Sequence, residues 1–171
     1  LFVAGFGHPP NVDAAKWLVA DIFPRIKMQV PAAKLILAGS NPTNEVKALA
    51  GAAVTVTGYL SDQALDAYYE RVGVAVVPLR FGAGVKGKVL EALHHALPLV
   101  TTSVGAQGLE GLDAVVPVHD EADAIADALV AIMLNPDKWM AVAQEGSDYV
   151  HAQFSQGALR AVFERDLPST A

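Results

Sequence analysis

Residues 73–102 read GVAVVPLRFGAGVKGKVLEALHHALPLVTT, and they hold one complete structural unit. Gly73–Pro78 and Pro98–Thr102 are short runs rich in β-branched apolar residues, the composition of strands buried on both faces. Between them a glycine-rich loop leads into a helical pattern over 85–96, in which Val85, Val89, Ala92, Leu93 and Ala96 are expected to face the core. A strand, a helix and a second strand in close succession predict a right-handed parallel crossover.

The same alternation continues in both directions. Strands are predicted at 1–4, 34–38, 54–57, 73–78, 98–102 and 114–118. Helices are predicted near 11–29, 43–50, 61–71, 85–96, 121–134, 136–153 and 156–166. Asn11 and Ser61 are candidate helix caps, and Pro24 should kink or split the first helix. The fold class that follows is α/β: a Rossmann-like, doubly wound parallel sheet with helices on both faces. Residues 1–167 read as one domain and 168–171 as a disordered tail. Because the chain opens inside a strand, an excised domain is expected.

Composition narrows the function. The chain has 171 residues, 53% of them hydrophobic, and a net charge of −6. That supports a large core and argues against a nucleic-acid partner held by phosphate attraction. With no cysteine, disulfides and thiolate metal sites are excluded. No apolar run approaches the length of a membrane span.

In a sheet of this class, ligands bind beyond the carboxyl ends of the strands. Gly5, Gly7, Gly39, Gly58, Gly82 and Gly84 all fall in loops at that edge. The first loop, Gly5-Phe6-Gly7-His8-Pro9-Pro10, starts like a dinucleotide fingerprint, but Pro10 stands where its third glycine belongs. The fourth loop says more. Between Arg71 and Lys138 the only cations are Arg80, Lys86 and Lys88, gathered where a helix N-terminus already carries positive charge. A phosphate or diphosphate bound there resolves the conflict, with glycine backbone able to approach it. Gly84, Gly87, Lys88 and Glu91 then follow one helical stripe, and Glu91 lies two turns on, roughly 10 Å along the axis. A carboxylate has only acceptors and suits the vicinal diol of a ribose. The competing reading has Lys86 and Lys88 on a solvated surface and Glu91 paired with Lys88 or His95.

Other constellations are weaker. His94 and His95 are adjacent and no HxxxH pair exists, so no metal site is expected. No serine has a nucleophile-elbow context. Trp17, Trp139, Tyr68 and Tyr69 read as packing or interface residues.

The block PLRFGAGVKGKVLEALHHALPLVTTSVGAQGL, Pro78 to Leu109, resembles the signature of the C-terminal domain of group-1 (GT4-like) retaining glycosyltransferases of the GT-B fold. The resemblance extends to FVAGFGHPPNVDAAKWLVADIFPRI, PAAKLILAGSNP and VTVTGYLSDQALDAYYERVGVAVVPLRFGAG. It implies a domain that holds a UDP- or GDP-sugar donor, with no other cofactor. It also implies a separate N-terminal acceptor domain outside this chain, and hexosyl transfer only by the full-length protein. Under it, Gly5, Phe6, Gly7 and His8 border the diphosphate, while Gly58, Tyr59 and Leu60 border the base. Phe81, Gly82, Ala83, Gly84 and Val85 offer N–H groups to sugar and phosphate, Lys86 and Lys88 assist them, and Glu91 binds the ribose. A cytoplasmic location is implied, with peripheral association at the inner face of a membrane left to the full-length protein.

Two departures from the family pattern stand out. Ala83 occupies the place of the first glutamate of Glu-x7-Glu, the sugar-contacting one. The first loop lacks the usual Arg and Lys. The alternatives are a non-catalytic nucleotide- or nucleotide-sugar-binding module, and a purely structural domain.

Overall fold

The computed structural model describes residues 1–154; the helix expected near 156–166 and the tail at 168–171 lie outside the described residues. Parallel strands β1 (Phe2–Val3), β2 (Leu35–Ala38) and β3 (Val54–Val56) form one ladder, with Phe2 opposite Leu37 and Leu35 opposite Val54. Strands β4 (Ala75–Val77) and β5 (Leu99–Thr101) form a second, with Ala75 opposite Leu99. The two ladders meet at the first residue. The Leu1 nitrogen donates to the Val74 carbonyl at 2.9 Å, and the Val76 N–H donates to the Leu1 carbonyl at 2.9 Å. The spatial order is therefore β3-β2-β1-β4-β5, reversing direction at β1. All of β4 and β5 is buried, as their unbroken apolar sequences require.

The strand expected at 114–118 is reduced to a single bridge. Gly111 enters a 3-10 turn (Leu112–Ala114) in the left-handed conformation, φ 75°. Only Val118 then pairs with Thr101. Pro117 has no N–H to give to a ladder, which limits pairing there.

The first helix splits as Pro24 demands. An α-helix α1 (Pro9–Trp17) passes into a π-helical turn at Leu18–Ile22 and resumes as α2 (Phe23–Gln29). Phe23 N–H reaches back five residues to the Leu18 carbonyl. That wider turn accommodates a proline that lacks an N–H and would collide with the carbonyl four residues before it. The cap expected at Asn11 is not formed, because Pro9 and Pro10 preset helical φ and start α1 earlier, with His8 at the cap position. Asn11 instead donates its Nδ2 to the Gly5 carbonyl at 2.9 Å.

The remaining helices are α3 (Asn44–Lys47), α4 (Asp62–Tyr69), α5 (Gly87–His94), α6 (Ser103–Ala106), α7 (Ala122–Leu134) and α8 (Pro136–Phe154). Ser61 caps α4 as expected, its Oγ accepting the Ala64 N–H at 3.3 Å. Helix α5 begins at Gly87, two residues later than predicted. Gly84 and Val85 therefore belong to the loop, and Val85 is exposed. Ala96 also leaves the predicted core face: it turns to positive φ, 49°, just past α5 and is exposed. Val89, Ala92 and Leu93 remain buried as predicted. Helix α8 crosses α5 closely at Gly146, where an added Cβ would lie 2.6 Å from Leu93 Cδ2. Among the described residues no helix is long and apolar enough to cross a membrane.

Candidate functional site

The strand order reverses at β1, the kind of point where ligands bind in such sheets, and a crevice opens at the carboxyl edge between the loops after β1, β2 and β3 and helix α5. Its wall is the β1 loop, fixed by backbone contacts to the β2 loop. Ala4 N–H donates to the Ala38 carbonyl at 2.9 Å and Phe6 N–H to the Ser40 carbonyl at 2.8 Å. Gly39 permits this approach: its φ is +141°, and a Cβ there would stand 1.9 Å from the Ala4 carbonyl oxygen.

A cleft of about 320 Å³ lies against that wall. Among the residues predicted for a ligand, Gly5, Tyr59, Leu60, Lys88 and Glu91 line it together, with Gly39 and Ser40 from the β2 loop. These residues come from three loops and one helix, so their convergence is a product of the topology. Tyr59 is 80% exposed and presents its ring at the rim. Lys88 and Glu91, three residues apart on α5, set a cation and a carboxylate on one side of the cleft.

The other predicted residues fall in three places. Phe6 is fully buried and packs edge-to-face on Phe2 at 5.7 Å, so only its backbone belongs to the loop surface. Gly7 and His8 are exposed on the far side of the β1 loop, where Gly7 borders a separate shallow groove with Asp13, Lys16 and Glu45. Gly58, at φ 74°, turns the chain toward Tyr59. Phe81, Gly82, Ala83, Gly84 and Val85 form an exposed β4 loop whose Gly82 lies against Pro10, a Cβ there being 3.7 Å from the proline ring. Among the described residues, none of the backbone N–H groups from Phe81 to Lys86 donates a hydrogen bond within the protein. Those donors are unused among the described residues, in a loop exposed from Phe81 to Val85.

The three cations of this region divide. Arg80 is already matched: its guanidinium forks onto Asp13 at 2.5 and 2.9 Å and lies over the Trp17 ring at 5.2 Å. It braces α1 to the β4 loop, and the Asp13 carboxylate answers its share of the charge conflict. Lys86 folds back, mostly buried, to donate to the Gly84 carbonyl. Lys88 donates to Asn11 Oδ1 at 2.5 Å, and its ammonium stands 5.3 Å from the Phe2 ring centroid. Burial, then the neighbouring Lys86 charge, lower its pKa to about 8. Lys88 is thus a desolvated cation with no carboxylate bonded to it among the described residues, held in place through Asn11 by the same residue that fixes Gly5.

A second cavity, about 270 Å³, opens at the opposite edge of the strands among Leu1, Leu18, Phe23, Ile26 and Leu129. It is more enclosed and more apolar, but no carboxylate, histidine or glycine loop of the carboxyl edge reaches it. Gly5, Tyr59, Leu60, Lys88 and Glu91, all expected at a ligand, line the cleft instead.

The model of the family "Glycosyl transferases group 1" matches residues 1–135. The chain belongs to the group 1 glycosyltransferases. An uncharacterized 44.6 kDa protein in the cps region of Klebsiella pneumoniae is 32% identical over 116 residues, 63% of this chain and 30% of that protein. The C-terminal domain of a group 1 family glycosyl transferase (LpcC) from Francisella tularensis superposes with TM-score 0.73 at 17% identity, over 91% of this chain and 85% of that one. A mutant of S. aureus TarM, solved with Fondaparinux, alpha-GlcNAc-glycerol and UDP, gives TM-score 0.74 at 12% identity, over 95% of this chain and 34% of that one. The chain therefore spans about a third of the length of these two larger proteins. The structural likenesses establish the fold, the Rossmann-like half of the GT-B type.

Within this glycosyltransferase domain, sequence reasoning missed Ser40 and Tyr69, and it noted Gly39 only as one of the edge glycines. A glycine directly after an apolar strand could have signalled the close passage of Gly39 past Ala4. Nothing local marks Tyr69, which reaches the site only because α4 packs beside α5.

Proposed function

We propose that this chain is the donor-binding half of a glycosyltransferase that moves a hexosyl group, with retention, from a UDP- or GDP-sugar to an acceptor hydroxyl. The observation that carries this reading is the convergence of Gly5, Tyr59, Leu60, Lys88 and Glu91 on one cleft, at the helix that follows a β4 loop whose backbone donors are unused among the described residues. The diphosphate lies on the N–H groups of Phe81–Lys86 and near the ammonium groups of Lys86 and Lys88. Glu91 accepts hydrogen bonds from the ribose hydroxyls, and the base lies against Tyr59 and Leu60. Loop glycines admit the ligand to the backbone, and the N-terminus of α5 points its partial positive charge at the phosphates.

In the reaction, the bond between the anomeric carbon and the β-phosphate oxygen breaks, and its electron pair leaves with the diphosphate. The acceptor oxygen bonds to the anomeric carbon and passes its proton to the departing diphosphate. This domain's contribution is to stabilise the charge that develops on the departing diphosphate with preorganised donors. The acceptor is supplied by an N-terminal domain of the full-length protein, a reading supported by the chain's spanning only 30% of its curated relative. A cytoplasmic site, at the inner face of a membrane through the full-length protein, fits donors of this class.

Ala83 favours a second reading, a module that binds the donor without turning it over. It stands eight residues before Glu91 in an exposed loop and brings no carboxylate to the sugar. Incubating the full-length protein with UDP- and GDP-hexoses, and following sugar transfer and donor hydrolysis, separates the two. Turnover with any donor supports the transferase, whereas saturable binding with neither reaction supports the module. Absence of nucleotide binding at millimolar ligand contradicts both.

A further inference from the structure

One buried polar group beside the cleft has no role in the binding scheme above. Tyr69, the last residue of α4, is 3% exposed. Its hydroxyl completes no hydrogen bond among the described residues. The ring is held firmly: His95 stacks on it at 4.5 Å with planes 9° apart, and His95 Nε2 in turn lies 3.5 Å from Asp66 Oδ1. Burial and then the adjacent Glu91 carboxylate hold the phenol proton on, raising its pKa. An orphaned hydroxyl in such a position destabilises the fold unless something in the working state satisfies it.

The geometry points to Tyr69 as a positioning residue that orients Glu91 for ribose, an assignment that rests on the ribose role given to Glu91 above. A carboxylate offers two oxygens and about four lone-pair sites. One oxygen accepts from the Tyr69 hydroxyl on the protein side, leaving the other turned into the cleft for the vicinal diol. In the free protein the bond is not closed. Ribose binding fixes the Glu91 rotamer, and the Tyr69 hydroxyl then gains its partner. Tyr69 touches no ligand in this scheme and acts only through Glu91.

The test is Tyr69→Phe, which keeps the stacked ring and removes only the hydroxyl. UDP and GDP are titrated calorimetrically, each beside its 2′,3′-dideoxy counterpart, against the wild type, Tyr69→Phe, Glu91→Ala and the double variant. Removing one ordinary hydrogen bond corresponds to about three- to tenfold weaker binding. That loss is expected for the ribonucleotides alone, with dideoxynucleotide affinity unchanged and the ligand-free melting temperature equal or higher. Adding Tyr69→Phe to Glu91→Ala should then cost nothing further.

If Glu91→Ala weakens UDP or GDP binding while Tyr69→Phe binds like the wild type, the Tyr69 role is wrong and the ribose role of Glu91 stands. Equal losses for ribo- and dideoxynucleotides would overturn the Tyr69 role by showing a general structural effect. If Glu91→Ala itself leaves affinity unchanged, the ribose assignment falls and the Tyr69 role goes with it.

Discussion

The loops after β1 and β4 lie side by side at the carboxyl edge and both carry two glycines, yet they are built in opposite ways. The β1 loop is closed on itself and its neighbours: Phe6 is buried in the core, its N–H reaches Ser40, and Asn11 holds the Gly5 carbonyl. The β4 loop is exposed from Phe81 to Val85, with N–H groups that donate to nothing among the described residues. One loop is a wall and the other an array of unused donors backed by lysines. In the function proposed above, that division lets the domain grip a diphosphate and release it: the wall fixes where the ligand stops, and the donors supply attraction only when it is present.

Substitutions can break this comparison, and the largest effect is expected in the wall. Gly39→Ala sets a methyl 1.9 Å from the Ala4 carbonyl at a φ of +141°. A loss of ~4 kcal/mol or more is expected, visible as loss of cooperative thermal unfolding. Gly84→Ala, in the β4 loop at φ +77° with nothing within 4 Å, should cost only about 1–2 kcal/mol. Similar melting temperatures for the two variants would erase the distinction between the loops.

Ligand binding comes next. Glu91→Ala should weaken nucleotide affinity by ~1.5–3 kcal/mol, or about 10- to 150-fold, in a protein that still melts cooperatively. A double Lys86→Ala, Lys88→Ala variant should lose at least about tenfold in affinity for UDP or GDP and little for the corresponding nucleoside. Parallel losses for diphosphate and nucleoside would show that the lysines support the fold rather than the phosphates.

The smallest effect is the dependence on pH. The ammonium of free Lys88 titrates at about 8, and a bound diphosphate favours its charged form. Affinity for UDP should therefore fall as pH rises through about 8, and binding above pH 8 should take up protons. For stability the sign is opposite. The unfolded chain holds this proton up to the ordinary lysine value of 10.5, so the ligand-free fold gains stability as pH rises from about 8 toward 10.5. Lys88→Ala should flatten both trends, and an unaltered profile in that variant would remove Lys88 from the phosphate site.

The sequence disclosed what depends on local pattern. Unbroken apolar runs located β2 to β5 to within a residue or two, Ser61 and Pro24 acted as their chemistry dictates, and two of the edge glycines, Gly5 and Gly39, fall at the cleft. It misled where one local rule overrode another. Asn11 is a good cap, but two prolines ahead of it start the helix first. Val116 and Val118 suit a strand, but Pro117 between them withholds a donor. The least legible facts are those that join distant segments: Arg80 to Asp13 across 67 residues, Gly39 against Ala4, and Tyr69 beside Glu91. By sequence Arg80 belongs with the cations expected at a phosphate, yet Asp13 already matches its charge. No spacing rule within one helix or loop contains such pairings.

The claim at the centre of this account is that the open β4 loop and α5 receive the diphosphate and ribose while the β1 loop stays fixed. Following backbone amide resonances during a UDP or GDP titration tests it directly. The largest shifts are expected from Phe81 to Lys88 and at Glu91, with smaller ones at Gly5, Tyr59 and Leu60. Shifts centred on the opposite edge, around Ile26, Val74 and Leu129, or none at saturating nucleotide, would contradict it.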